Sequence, residues 1–238
     1  MLTHWRIPPI GIEKAVSNAW PEHPIDAVKR SHNPKTELLI LTAGFSMNKC
    51  NRLYLPRDMQ KKLILDSDML DLTISRLCQQ LIENHNDFSN SVILGMQPRG
   101  IFLAEIIHKK LMEDTGRDIP MGYLDATFYR DDFRRRETPV KANETRVSFI
   151  IEGKKVVLVD DVLFTGRTIR AAMDAMIAFG RPATVELLVL IDRRRNRELP
   201  ISADYVGKEV NTLASQRVLV ELEAQGHKQN KIWLINKD

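Results

Sequence analysis

The residues richest in chemistry lie between 156 and 168, where the chain reads Val156-Val157-Leu158-Val159-Asp160-Asp161-Val162-Leu163-Phe164-Thr165-Gly166-Arg167-Thr168. An apolar run of strand length ends in two adjacent carboxylates. A short turn with one glycine follows, and then a helix begins. A helix N-terminus offers unpaired N–H groups and the positive end of the helix dipole, which suits a phosphate. Thr165 and Thr168 add hydroxyl donors, and Gly166 lets the backbone approach a bulky anion closely. Two carboxylates would repel that phosphate, so they serve another group. Vicinal ribose hydroxyls fit, held directly or through Mg²⁺. The segment therefore predicts a sugar-phosphate site, with the phosphate on the turn and the diol on the acids. An Asp-Asp pair by itself at a strand end is more often a cap or a solvated turn. The spacing of a Walker A loop is absent.

The elements that must position this segment can be read around it. Asp66-Ser67-Asp68 can cap a helix whose apolar positions are Leu70, Ile74, Leu77, Leu81 and Ile82. Ser91 to Met96 reads as a buried strand, Gln97-Pro98-Arg99-Gly100 as a turn and Ile101 to Leu111 as a helix. Met121 to Tyr129 is expected to be a strand, leading into the polar stretch Arg130 to Asn143. Val147 to Ile151 and Val156 to Val159 read as two strands joined by Glu152-Gly153-Lys154. Thr168 to Phe179 is helical and stops at Gly180, with Pro182 following. Val185 to Ile191 is another apolar strand. Repeated strand, turn and helix units imply an α/β fold with a mainly parallel twisted sheet flanked by helices. All-apolar strands suit a sheet buried on both faces. Ligands in such sheets bind beyond the carboxyl ends of the strands, so the loops after Met96, Val159 and Ile191 carry the site.

The chain has 238 residues, 43% hydrophobic and 28% charged, enough to bury a real core. Residues 1–58 differ from the rest. They hold six of the eleven prolines, two of the three tryptophans and a net charge of +3, against +1 for residues 59–238. They are expected to form an irregular, loosely ordered extension, or to reflect a true start at Met47 or Met59, with Leu38 to Leu41 as one possible strand. The body, 59–238, is expected to be one domain. Its basic clusters are local: Arg134-Arg135-Arg136, and Arg193-Arg194-Arg195 with Arg197. No stretch is long and apolar enough to span a membrane, and residues 1–20 lack a secretory pattern. Cys50 and Cys78 have no metal-type spacing, nor have the six histidines. No protein metal site is expected, and the thiols suit a reducing, cytoplasmic location.

The string from Val156 to Thr168 resembles the signature of type I phosphoribosyltransferases, which bind 5-phosphoribosyl 1-pyrophosphate (PRPP). The resemblance extends over residues 59–238. Gly95-Met96-Gln97-Pro98-Arg99-Gly100-Ile101 is similar to that family's pyrophosphate loop, and Tyr129-Arg130-Asp131-Asp132 to its flexible hood. Asp192-Arg193, Arg197-Glu198-Leu199-Pro200 and Asp204-Tyr205-Val206-Gly207-Lys208 resemble one subgroup, the PyrR-type pyrimidine operon attenuation regulators that are also uracil phosphoribosyltransferases.

The resemblance implies a fold and a reaction. The fold is that of the type I phosphoribosyltransferases, with a hood over the site. Uracil and PRPP give UMP and pyrophosphate through a transition state in which charge builds on the leaving group, so positioning and anion stabilisation matter most. By resemblance, Asp160 and Asp161 hold the ribose hydroxyls and Thr165, Gly166, Arg167 and Thr168 the 5′-phosphate. Val162, Leu163 and Phe164 complete the substrate-binding segment. Pro98, Arg99 and Gly100 line the pyrophosphate, Arg130 closes from the hood, and Arg193 and Val218 lie near the nucleotide. Asp160, Asp161, Arg99 and Arg130 are thus the expected catalytic residues. Mg²⁺ is expected mainly on the pyrophosphate, with no dedicated protein ligands.

The implied partners are PRPP, uracil, UMP or UTP, pyrimidine operon leader mRNA and further copies of the chain. The subgroup commonly has Gly-His between Asp-Arg and Arg-Glu-Leu-Pro, whereas Arg194-Arg195-Asn196 stands here, one residue longer and more basic. That difference motivates a non-catalytic RNA-binding nucleotide sensor as one alternative; a salvage enzyme without RNA binding and a transferase for a purine or orotate are the others.

Overall fold

The computed structural model describes residues 61–131 and 142–236. The expectations for residues 1–58, including the strand at Leu38 to Leu41 and the domain boundary, lie outside the described residues, as do Asp132 and Arg134-Arg135-Arg136.

Strand β1 (Lys62–Leu65) leads into α1 (Ser67–His85), which starts where Asp66 accepts a hydrogen bond from the Met69 amide at 2.9 Å. Leu70, Ile74, Leu77, Cys78 and Leu81 recur at helical spacing, and all are buried. Strand β2 (Ser91–Met96) is buried along its whole length. Helix α2 (Gly100–Thr115) ends at Gly116, whose φ of +65° places it in the left-handed region that a β-carbon disfavours. Strand β3 (Met121–Leu124), β4 (Lys155–Leu163), α3 (Arg167–Met176), β5 (Thr184–Arg193) and β6 (Tyr205–Val210) follow. Five strands form a parallel sheet in the order β3-β2-β4-β5-β6.

Alternation along β4 and β5 builds the core on both faces. Val157, Val159, Leu188 and Leu190 pack with α1 and α2, whereas Val156, Leu158, Leu187 and Val189 pack with Ile169, Ala171, Ala172 and Ala175 of α3. A smaller antiparallel sheet combines β1 with β7 (Gln216–Glu221) and β8 (Lys231–Asn236), in the order β1-β8-β7. Its inner residues Val218, Val220 and Ile232 join the α1 and α2 side of the core. No helix among the described residues is long and apolar enough to cross a membrane.

Three local expectations are corrected. The strand beginning at Met121 stops at Leu124, because Asp125 Oδ1 accepts from the Thr127 amide and hydroxyl at 2.8 and 2.5 Å and bends the chain. Val147 to Ile151 is not a strand. Its segment meets β3 only at the bridge between Arg146 and Tyr123, and both edges of β4 are already taken by β2 and β5. Finally, β4 does not end at the carboxylates: it runs on to Leu163, with Asp160 opposite Val189 and Val162 opposite Ile191. The strands β1, β6, β7 and β8 were outside the elements that periodicity predicted.

Candidate functional site

Parallel strands place the ends of β2, β4 and β5 at one rim of the sheet, so the three loops singled out from sequence meet there. Asp160 and Asp161 sit within β4 just before its end, 9% and 7% exposed. Asp160 Oδ1 accepts from the Asp161 amide at 2.9 Å. Asp161 Oδ2 is buried with no hydrogen-bond partner among the described residues. Burial raises Asp160 well above the ordinary carboxylate value of 3.8, and the charge of Asp161 adds to the rise. Asp161 is also raised, chiefly by burial, with the Arg99 guanidinium opposing. A buried acid with an unused oxygen is costly unless a ligand supplies donors or positive charge.

The β2 loop reaches the acids through one close approach. Gln97–Pro98 is a cis peptide, and Arg99 is exposed at the start of α2. A β-carbon on Gly100 would lie 2.5 Å from the Val159 carbonyl oxygen and 3.2 Å from Asp160 Oδ1, so only glycine lets the loop pass.

Beyond β4 the chain turns through Phe164, Thr165 and Gly166. Gly166 has φ of +90° and precedes α3, whose first intrahelical bond runs from the Arg170 amide to the Gly166 carbonyl at 3.0 Å. The amides of Arg167, Thr168 and Ile169 thus precede the helical ladder, as a helix start requires. A cradle of donors lies directly after two buried acids. Val162 and Leu163 belong to the strand, and their side chains pack into opposite core clusters, so they offer a ligand backbone groups only.

The hood segment docks on the same helix start. Arg130 Nη1 donates to Thr168 Oγ1 at 3.0 Å, Arg170 Nη2 donates to the Tyr129 carbonyl at 3.3 Å, and Asp131 pairs with Arg167. Arg167 also donates to Glu198 Oε2 at 2.5 Å. Those pairs at Asp131 and Glu198 were not visible in the sequence, since 31 or more residues separate the partners.

Arg193 is 4% exposed, with its guanidinium 3.9 Å from the centre of the Phe164 ring. It donates to Thr212 Oγ1 at 2.8 Å and to the Gln216 carbonyl at 2.8 Å. Val218 lies two residues further along β7, 8% exposed and packed in the main core. Its tie to the site runs through Gln216 and Arg193. The turn Arg194–Asn196 is a single 3₁₀ turn whose Arg194 pairs with Glu209 and whose Asn196 donates to the Thr212 carbonyl at 3.2 Å. No group of three metal-ligating side chains occurs among the described residues.

The chain matches known proteins in sequence and in fold. A family model described as a phosphoribosyl transferase domain matches residues 63–225. The bifunctional protein PyrR of Listeria monocytogenes serotype 4a is 44% identical over 184 residues, covering 76% of this chain and 100% of that protein. The bifunctional protein PyrR of Actinobacillus succinogenes is 48% identical over 164 residues, covering 67% of this chain and 90% of that protein. Among solved structures, the hypoxanthine phosphoribosyltransferase of Trypanosoma cruzi superposes with a TM-score of 0.55 at 18% identity, covering 74% of this chain and 97% of that one. The enzyme of Leishmania tarentolae in complex with GMP gives 0.57 at 14% identity, with 74% and 97% covered. These two likenesses concern the fold.

Proposed function

This chain belongs to the phosphoribosyltransferase family, among the bifunctional PyrR proteins, and on that premise we propose that it transfers a phosphoribosyl group from PRPP to uracil, giving UMP and pyrophosphate. The observation that carries the reading is the direct succession of two buried acids and a helix-start donor cradle at one sheet rim. The 5′-phosphate takes the amides and hydroxyls of Thr165, Gly166, Arg167 and Thr168. The ribose hydroxyls donate to Asp160 and Asp161, and the unpartnered Asp161 Oδ2 then gains its donor. Arg99 and the backbone of Pro98 and Gly100 face the pyrophosphate, and Arg130 adds a guanidinium from the hood. The chemistry is positioning plus anion stabilisation, which needs no strong base.

The acids also suit Mg²⁺, a hard cation that takes oxygen ligands. In this reading Asp160 and Asp161 are the protein oxygens available to it, while the pyrophosphate supplies most of its ligands. When bound, Mg²⁺ neutralises charge on the pyrophosphate.

The same reading assigns a second role: binding of pyrimidine operon leader RNA, with uridine nucleotides as co-regulators. The exposed Arg195 supplies phosphate-binding charge in the turn that follows Arg193, beside Arg194, which is paired with Glu209. A homo-oligomer and a cytoplasmic location complete the proposal.

The test is an assay for nucleotide formation from PRPP and Mg²⁺ with a panel of bases. UMP from uracil is expected, with little product from purines or orotate. UMP binding without turnover would instead support a nucleotide sensor. A gel-shift titration against leader RNA at two salt concentrations tests the regulatory half, and absence of sequence-selective binding would leave a salvage enzyme.

A further inference from the structure

The turn assigned to the 5′-phosphate is braced from behind by Arg197-Glu198-Leu199, residues so far given no part in binding. Arg197 donates through Nη1 to the Phe164 carbonyl and through Nη2 to Asp192 Oδ1, both at 2.5 Å. The Arg197 and Asp192 side chains are only 18% and 9% exposed. The next two residues continue the grip, since the amides of Glu198 and Leu199 both donate to the Thr165 carbonyl at 3.0 and 3.2 Å. A β-carbon on Gly166 would meet Ile201 and Leu199 at 3.3 to 3.5 Å, so the same segment also backs the glycine.

A phosphate turn works by presenting N–H groups to the anion. Its carbonyls must therefore find partners elsewhere, because a buried carbonyl left unpaired is costly. Here the carbonyls of two consecutive turn residues, Phe164 and Thr165, are both claimed by residues 197–199. Arg197 is in turn held by the buried carboxylate at the end of β5. We propose that Arg197, anchored on Asp192, is a positioning residue: it holds the Phe164 carbonyl away from the ligand, keeps the Glu198 and Leu199 amides on the Thr165 carbonyl, and so preorganises the amides of the turn for the 5′-phosphate. The inference rests on the assignment of Thr165 to Thr168 as the phosphate site.

The arrangement separates two substrates. PRPP uses the turn and uracil does not, so loss of the brace acts on PRPP first. Misplacing a binding group by about 1 Å costs as much as 100-fold. Arg197→Gln is therefore expected to raise KM for PRPP by about tenfold or more and to weaken UMP binding similarly, with KM for uracil changed by less than about threefold. Arg197→Lys recovers part of the loss, because one ammonium reaches one of the two acceptors. Removing Arg197 alone leaves a buried carboxylate unpaired, which can unfold the protein. The apolar pair Asp192→Leu with Arg197→Met removes both charges while keeping the volume. It is expected to recover most of the urea midpoint that Arg197→Gln loses and still to show the raised KM for PRPP. If this pair recovers both, or folded Arg197→Gln has the wild-type KM for PRPP, the positioning role is overturned. If the wild-type protein neither forms nor binds UMP, the functional assignment itself falls, and the inference with it.

Discussion

Gly100 and Asp160 touch across the rim of the sheet: a β-carbon on Gly100 would stand 3.0 Å from the Asp160 α-carbon and 3.2 Å from its Oδ1. Through this contact the start of α2 is set directly beside the acids. Gly100→Ala must push strand backbone apart, since the nearest atom is the Val159 carbonyl oxygen at 2.5 Å. Overpacking of this kind costs about 1–3 kcal/mol. Urea unfolding is expected to show that loss, and UMP formation is expected to fall further than stability does, because the loop before α2, proposed to hold the pyrophosphate, shifts relative to Asp160.

Asp160→Asn separates catalysis from stability. Burial and the neighbouring Asp161 raise the folded Asp160 well above 3.8. Between 3.8 and that raised value the folded protein holds more protons than the unfolded chain. Stability of the ligand-free protein therefore declines as pH rises through this window. The Asn variant lacks the decline and is expected to have a higher urea midpoint than wild type at pH 7. Its UMP formation is expected to drop by about 10- to 100-fold, the worth of a hydrogen bond to a charged group. A variant that is both active and no more stable would contradict the assignment.

Arg130→Ala should distinguish the pyrophosphate from the rest of the ligand. In the proposed reading its guanidinium stabilises the leaving group, so kcat/KM for PRPP is expected to fall by about 100-fold. UMP carries no pyrophosphate, and its affinity by calorimetry is expected to change by less than about threefold. Equal losses for both ligands would place Arg130 on the 5′-phosphate instead.

Acid sensitivity has a separate source at the other end of the sheet. His85 is 5% exposed, with Nδ1 2.8 Å from Ser91 Oγ and Nε2 3.2 Å from Glu186 Oε2. Burial lowers its pKa below 6.5, against the opposing pull of Glu186. The unfolded chain thus binds a proton that the folded protein resists, and stability falls as pH drops from 6.5 toward the folded value. As pH falls through this range the urea midpoint of wild type is expected to drop relative to that of His85→Gln, a difference that isolates the histidine from the opposing titration of Asp160.

The fold was legible where periodicity met burial. The apolar runs of β2, β4 and β5, and the three- and four-residue spacing of Leu70, Ile74, Leu77 and Leu81, each encode their own environment locally. The turn from Phe164 to Thr168 was legible because the glycine that makes it and the helix that follows are neighbours in sequence. What was not legible depends on pairing across the chain. The 147–151 segment has strand-like residues, yet no free edge of β4 receives it. The contacts of Arg167 with Glu198, of Arg197 with Phe164 and of Arg193 with Gln216 join residues separated by 23 to 33 positions. No local pattern records them.

The most direct test of the central claim is a crystal structure of this protein with UMP bound. The phosphate is expected on the amides of Thr165 to Thr168, with both ribose hydroxyls donating to Asp160 and Asp161. A phosphate seated on Arg194 and Arg195, or a ribose turned away from the two acids, would contradict it.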